Sequence, residues 1–154
     1  MLKLLVIFTI VAVVRDSGAS ITTTAPLTKK YDVSKIPARF LDAYAACKRK
    51  KHNLAVERSK TETANIRNAI TKAGRENIDL GYYIGGYLEH TDDFKSSSWL
   101  WLDTGNALNY FNWYSIAPND TWYCLFKQGS QETDYKWSGS LCNERRYFIC
   151  EYTQ

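Results

Sequence analysis

The residues best equipped for chemistry lie between Trp113 and Cys150, a stretch that holds three of the four cysteines and three of the five tryptophans. Within it Asn119-Asp120-Thr121 is an N-glycosylation sequon, which makes Asn119 a candidate glycan acceptor. Trp122 and Tyr123 follow at once, and in alternating geometry successive rings face opposite ways. The plainer reading places both rings in a core. The sharper one leaves one exposed, to stack on a sugar or anchor a protein partner. Pro118, Asn119, Asp120, Trp122 and Tyr123 are therefore the candidate ligand-binding residues.

Two further clusters carry charge. Lys48-Arg49-Lys50-Lys51, followed by His52, closes a helical pattern, where cations are favourable against the helix dipole. The same cluster is a weaker candidate for polyanions of the heparin type. Glu89-His90-Thr91-Asp92-Asp93 offers carboxylates to a cation, but a solvated loop explains it as well. Catalytic signatures are lacking. The sequence has no Gly-x-Ser-x-Gly elbow and no His-Glu-x-x-His pair, so no enzyme and no catalytic residue is expected. No Cys-x-x-Cys pair occurs and the histidines are His52 and His90, which argues against zinc.

The elements that must position these residues fit in one domain, since 154 residues are too few for two comfortable ones. Met1 to Ala19 reads as a secretory signal: Lys3 first, an apolar run over Leu4–Val14, then small residues at Ser17-Gly18-Ala19. A run of about eleven residues is too short for a bilayer, which needs about twenty, so no membrane span is expected. Without Lys3, Arg15 and Asp16 the formal charge falls from +4 to +3, mildly basic and no indication of nucleic acid. An extracellular setting turns four cysteines into a disulfide framework, with three pairings open.

Residues 20–30 are threonine-rich and aperiodic and read as a flexible leader. Tyr31–Ser34 suits a short strand. From about Pro37 a helix follows, with Phe40, Leu41, Tyr44, Ala45 and Cys47 expected on its inner face. Asn53–Val56 is an extended link. Ser59-Lys60-Thr61-Glu62 is a capping box, in which Glu62 is expected to reach back to the Ser59 amide, and Gly74 ends the second helix. Strands are then expected at Leu80–Gly86, Trp99–Leu102, Tyr110–Trp113, Trp122–Phe126, Lys136–Trp137 and Tyr147–Glu151, with a polar loop over Glu89–Ser98 and a turn over Asp103–Asn106. Helices first and antiparallel strands afterwards give an α+β class.

The ordered set Cys47, Tyr83-Ile84-Gly85-Gly86, Trp101, Trp113, Pro118-Asn119, Cys124, Trp137, Cys142 and Cys150 resembles the C-type lectin domain over residues 31–152. The overall plan is similar to small secreted invertebrate lectins. The resemblance implies two helices, short antiparallel strands, a long loop region and two disulfides, Cys47–Cys150 and Cys124–Cys142. It also implies that Tyr83, Ile84, Trp101, Trp113 and Trp137 are core positions.

In this family sugar binding normally uses calcium held by a Glu-Pro-Asn or Gln-Pro-Asp motif, a Glu two residues before the third cysteine, and a Trp-Asn-Asp motif. Here those positions read Ala117-Pro118-Asn119, Trp122 and Trp137-Ser138-Gly139. Asn119 alone keeps its ligand type, Ser138 is a weak neutral oxygen, and Asp120 by itself is no cage for an ion that takes six to eight oxygens. The resemblance therefore implies no calcium at the usual site, no other cofactor and no metal ligands. What it leaves is a secreted, extracellular recognition protein for glycans or glycoproteins on cell or microbial surfaces. The alternative is a module for a soluble protein partner, in defence, saliva, venom or a reproductive secretion.

Overall fold

The computed structural model describes residues 28–90, 96–115 and 123–154. Its elements run β1 (Lys29–Val33), α1 (Phe40–Arg49), β2 (Asn53–Leu54), α2 (Lys60–Lys72), β3 (Tyr82–His90), β4 (Ser97–Trp101), β5 (Cys124–Lys127), β6 (Trp137–Ser140) and β7 (Tyr147–Thr153). The strand order is β1-β7-β3-β5-β6, with β2 on β7 and β4 on β3.

Period-two alternation sorts the core into two layers. Tyr83, Phe126, Phe148, Cys124 and Cys150 point to the side of α1 and cluster with Phe40, Ala43 and Cys47. Their neighbours Tyr82, Ile84, Leu125 and Ile149 point the other way, to Ile66 and Ile70 of α2 and to Trp101 and Trp137. Both disulfides sit in the α1 layer. Cys47–Cys150 spans 103 residues of sequence, and Cys124–Cys142 spans 18. Closing a loop of about a hundred residues is worth about 4–5 kcal/mol in the chain-entropy model.

Several expectations need correcting. The inner face of α1 is Phe40, Ala43 and Cys47, at the three- and four-residue spacing of a helix stripe. Leu41, one position round the helix, is 71% exposed. Ser59 caps α2 by accepting from the Glu62 amide at 3.2 Å, but the Glu62 carboxylate reaches past Ser59 to the Arg58 amide at 2.5 Å. Lys29 draws the same carboxylate toward β1, also at 2.5 Å. The expected polar loop from Glu89 is strand as far as His90, because Glu89 and His90 pair with Ser98 and Ser97 of β4. The sheet is mixed: Tyr82 and Tyr83 pair with Tyr147 and Phe148 in parallel. Residues 110–113 form no strand, only a bridge between Trp113 and Trp137.

Two glycines matter to this frame. Gly74, at φ +60°, takes the left-handed position after α2, where its amide bonds Thr71 and the next amide bonds Ile70. Gly86 lies beside the irregularity in the β3–β5 ladder, and a Cβ there would sit 2.4 Å from the Leu125 side chain.

Candidate recognition site

Ala117, Pro118, Asn119, Asp120 and Trp122 lie outside the described residues. Tyr123 is placed. Its carbonyl accepts from the Leu88 amide at 2.9 Å, which ties the entrance of β5 to β3. Its ring is 39% exposed and meets the His90 ring at 5.3 Å and 64°. Tyr123 is thus a surface ring and no part of either core layer. Strand alternation turns Cys124 into the α1 layer and leaves Tyr123 on the opposite face.

The root of the neighbouring loop is aromatic. Trp137 meets Trp101, Tyr110 and Trp113 edge to face at 5.6, 5.8 and 5.5 Å, and Trp113 meets Trp99 at 5.2 Å. Such pairs add about 0.5–1.5 kcal/mol each beyond burial. The Tyr114 amide donates to the Trp137 carbonyl at 2.9 Å, and the Trp137 amide to the Asn112 carbonyl at 2.7 Å. Tyr110 and Trp113 turn inward while Phe111 and Tyr114 are 64% and 55% exposed. These two exposed rings were not among the sequence candidates. The signal is a three-residue repeat, Tyr110 and Trp113 inward with Phe111 and Tyr114 outward, which a period-two strand over 110–113 does not produce.

Beneath the root lies a buried charge cluster. Glu57 and Lys127 are both 0% exposed, and the Lys127 ammonium donates to Glu57 Oε2. Glu57 Oε1 accepts from Thr63 Oγ1 at 2.5 Å and from Asn112 Nδ2 at 2.9 Å. The Thr63 hydroxyl lies 3.0 Å from the Tyr110 hydroxyl. Burial pushes the Lys127 pKa down from its ordinary value, while Glu57 pulls it back up. The cluster joins the start of α2 and the end of β5 to Tyr110 and Asn112. One carboxylate thereby gathers Lys127, Thr63 and Asn112 under the loop root.

The positions that the family resemblance assigns to calcium look different. Ser138 Oγ accepts from Gln128 Nε2 at 2.8 Å, so its oxygen is engaged within the sheet. Gly139 pairs with Leu125 inside β6 and has no side chain to offer. This donor set does not fit calcium, which needs several carboxylate oxygens. Among the described residues no group of three or more His, Cys, Asp or Glu side chains could hold a metal ion.

The basic candidates sit at the end of α1. Lys48 Nζ donates to Asn53 Oδ1 at 2.6 Å, and Lys50 Nζ is 3.4 Å from Asp32 Oδ2. Arg49 and Lys51 are exposed. Their neighbour His52 stacks on Tyr152 at 4.3 Å and 14°.

Comparison with known proteins gives one consistent result. Residues 36–152 match the family model for the Lectin C-type domain. The galactose-specific lectin nattectin of Thalassophryne nattereri is 33% identical over 111 residues, 70% of this chain. The chain spans 64% of the length of that relative. A solved carbohydrate-recognition domain of the mouse scavenger receptor C-type lectin superposes with a TM-score of 0.64 at 26% identity, covering 82% of this chain and 89% of the other. A calcium-independent type II antifreeze protein shares the fold with a TM-score of 0.62 at 21% identity, over 84% of this chain and 92% of that one.

Proposed function

The chain belongs to the C-type lectin domain family, and from that premise we propose that it is a secreted recognition protein that binds carbohydrate or glycoprotein ligands without the family's calcium-dependent sugar site. The observation that carries the reading is local. The scaffold around the long loop is complete, with both disulfides and the Trp137 stack, yet Ser138 and Gly139 supply no carboxylate. The family is one of binding modules, and a sugar ligand is supported by the name of the galactose-specific relative. Secretion is supported by the signal-like residues 1–19, which lie outside the described residues, and by two disulfides of the kind that persist in oxidising compartments. Among the described residues no helix is long and apolar enough to cross a membrane.

Without a metal, affinity for a sugar comes from ring stacking and hydrogen bonds. Tyr123 and Tyr114 are exposed rings with a hydroxyl at the tip, suited to a sugar face and its hydroxyls together. A second reading, a module for a soluble protein partner, is favoured by the addition of Phe111, which has no polar end and is more exposed than either tyrosine.

A glycan array probed in calcium and again in EDTA separates these readings. Binding to a defined glycan set that is equal in both conditions is the expected result. Loss of binding in EDTA would overturn calcium independence. No glycan bound in either condition, together with capture of a stoichiometric protein partner whose deglycosylation changes nothing, would move the function to the second reading.

A further inference from the structure

A second surface, separate from the long loop, carries cations that the fold itself does not neutralise. Lys50, Lys51, His52, Asn53, Tyr152 and Thr153 contribute to the lining of an open depression of about 320 Å³. Tyr152 also lines a neighbouring groove of about 670 Å³ between the free edge of β1 and α2, which carries Lys30, Lys72, Asn65 and Asn68. Tyr152 borders both, so the two depressions adjoin at that residue.

The charges on it divide into two groups. Lys29 is held by Glu62 and Glu151 at 2.5 and 3.2 Å, and Lys50 by Asp32 at 3.4 Å. Lys30, Lys51 and Lys72 are exposed and have no carboxylate within ion-pair distance among the described residues. Glu151 also borders the depression, but its carboxylate accepts from the Val56 amide at 2.9 Å and from Lys29. The acidic side chains on this surface are thus already engaged, and three ammonium groups are left over.

One of the three occupies an unusual place. Both helices end in the same motif. After α1 the amide of residue 51 bonds Lys48 and the amide of residue 52 bonds Cys47, as the amides of residues 74 and 75 bond Thr71 and Ile70 after α2. The left-handed residue is glycine after α2, at φ +60°, but a lysine after α1, also at φ +60°. That conformation disfavours any side chain relative to glycine. Here the side chain it carries is an ammonium at the mouth of the depression.

We propose that the Lys30–Lys51–Lys72 surface binds a linear sulfated polysaccharide. Ammonium groups spaced along two joined depressions suit sulfates repeated along a chain. The amides of Asn65 and Asn68 suit hydroxyl and sulfate oxygens, and the Tyr152 ring, stacked on His52 behind it, suits a sugar face. A bilayer is a poorer fit. None of the exposed large hydrophobic side chains lines either depression, so nothing there would enter lipid.

The test uses heparin as the probe, with the full chain in solution, and reads affinity by titration over a series of salt concentrations. The wild-type protein is expected to bind heparin, with log affinity falling linearly against log salt. Lys30→Gln/Lys51→Gln/Lys72→Gln is expected to weaken binding at least tenfold at low salt and to flatten the salt slope by about two to three, since each lost contact releases fewer counterions. Lys51→Gly is expected to raise the unfolding temperature yet lower heparin affinity, which separates ligand contact from folding. Tyr123→Ala is expected to leave heparin affinity unchanged, so this surface and the loop site fail or succeed independently. Unaltered affinity in the triple variant would overturn the proposal. So would equal binding to desulfated heparin, to a duplex oligonucleotide or to phosphatidylserine vesicles.

Discussion

Carboxylates are treated in opposite ways in the two halves of this domain. In the helical half three carboxylates are met by lysines: Glu57 by Lys127, and Glu62 and Glu151 together by Lys29. In the long-loop half the positions where the family holds calcium read Ala117, Trp122, Ser138 and Gly139, with no carboxylate at any of them. A bound calcium normally supplies a point of attachment between a loop and its scaffold. Here the loop root is attached from below by Asn112 and Tyr110 to the Glu57–Thr63 pair. The root is thus tied to the scaffold by the donors around Glu57, namely Lys127, Thr63 and Asn112.

The largest loss of stability is expected from removing the covalent tie of the helical half, Cys47–Cys150. Cys47→Ser/Cys150→Ser is expected to cost about 4–5 kcal/mol, given a closed loop of about a hundred residues, read as a lowered urea midpoint. An unchanged midpoint would show that the β1–β7 pairing holds the termini by itself.

Next in size is the buried pair. Lys127→Met leaves Glu57 in the core without its ammonium, and breaking such a pair costs about 3–5 kcal/mol. The double change Glu57→Leu/Lys127→Met removes both charges and is expected to cost less than Lys127→Met alone. Denaturant unfolding of both variants checks this. If the double variant is the less stable, the cluster supports the root through more than charge.

A smaller effect sharpens the contrast through pH. Burial raises the Glu151 pKa above its ordinary value of 4.5, and the Val56 amide and Lys29 offset only part of the rise. The folded state therefore holds this proton to higher pH than the unfolded chain does. The contribution of Glu151 is fully present below 4.5 and is lost as pH climbs through the raised folded value. Stability measured in pH steps upward from 4.5 is expected to decline by this term, and Glu151→Gln is expected to flatten the decline. A steeper slope in that variant would contradict the assignment.

Much of the frame was legible in the sequence because it rests on spacing. The stripe at Phe40 and Cys47, the Ser59 cap and the Gly74 stop are local signals, and the tryptophan and cysteine order carried the family resemblance. What sequence missed depends on partners distant along the chain. Nothing in the sequence beside Glu57 or Lys127 announces burial, because each finds its partner 70 residues away. The extension of β3 to His90 rests on its pairing with β4 rather than on the polar side chains of Glu89 and His90. Leu41 is apolar and next to Phe40 in sequence, but at 100° per residue it falls off the Phe40–Ala43–Cys47 stripe and stays exposed. In the candidate site, Tyr123 was legible as a type and position but not as exposed, and Phe111 and Tyr114 were obscured by the mistaken strand.

Recognition without calcium is open to a direct test by calcium titration calorimetry of the intact protein, run beside thermal unfolding in calcium and in EDTA. No heat beyond dilution and the same unfolding temperature in both conditions are expected, because a ligand that does not bind the folded state cannot stabilise it. Saturable heat with a rise in unfolding temperature that EDTA reverses would contradict it.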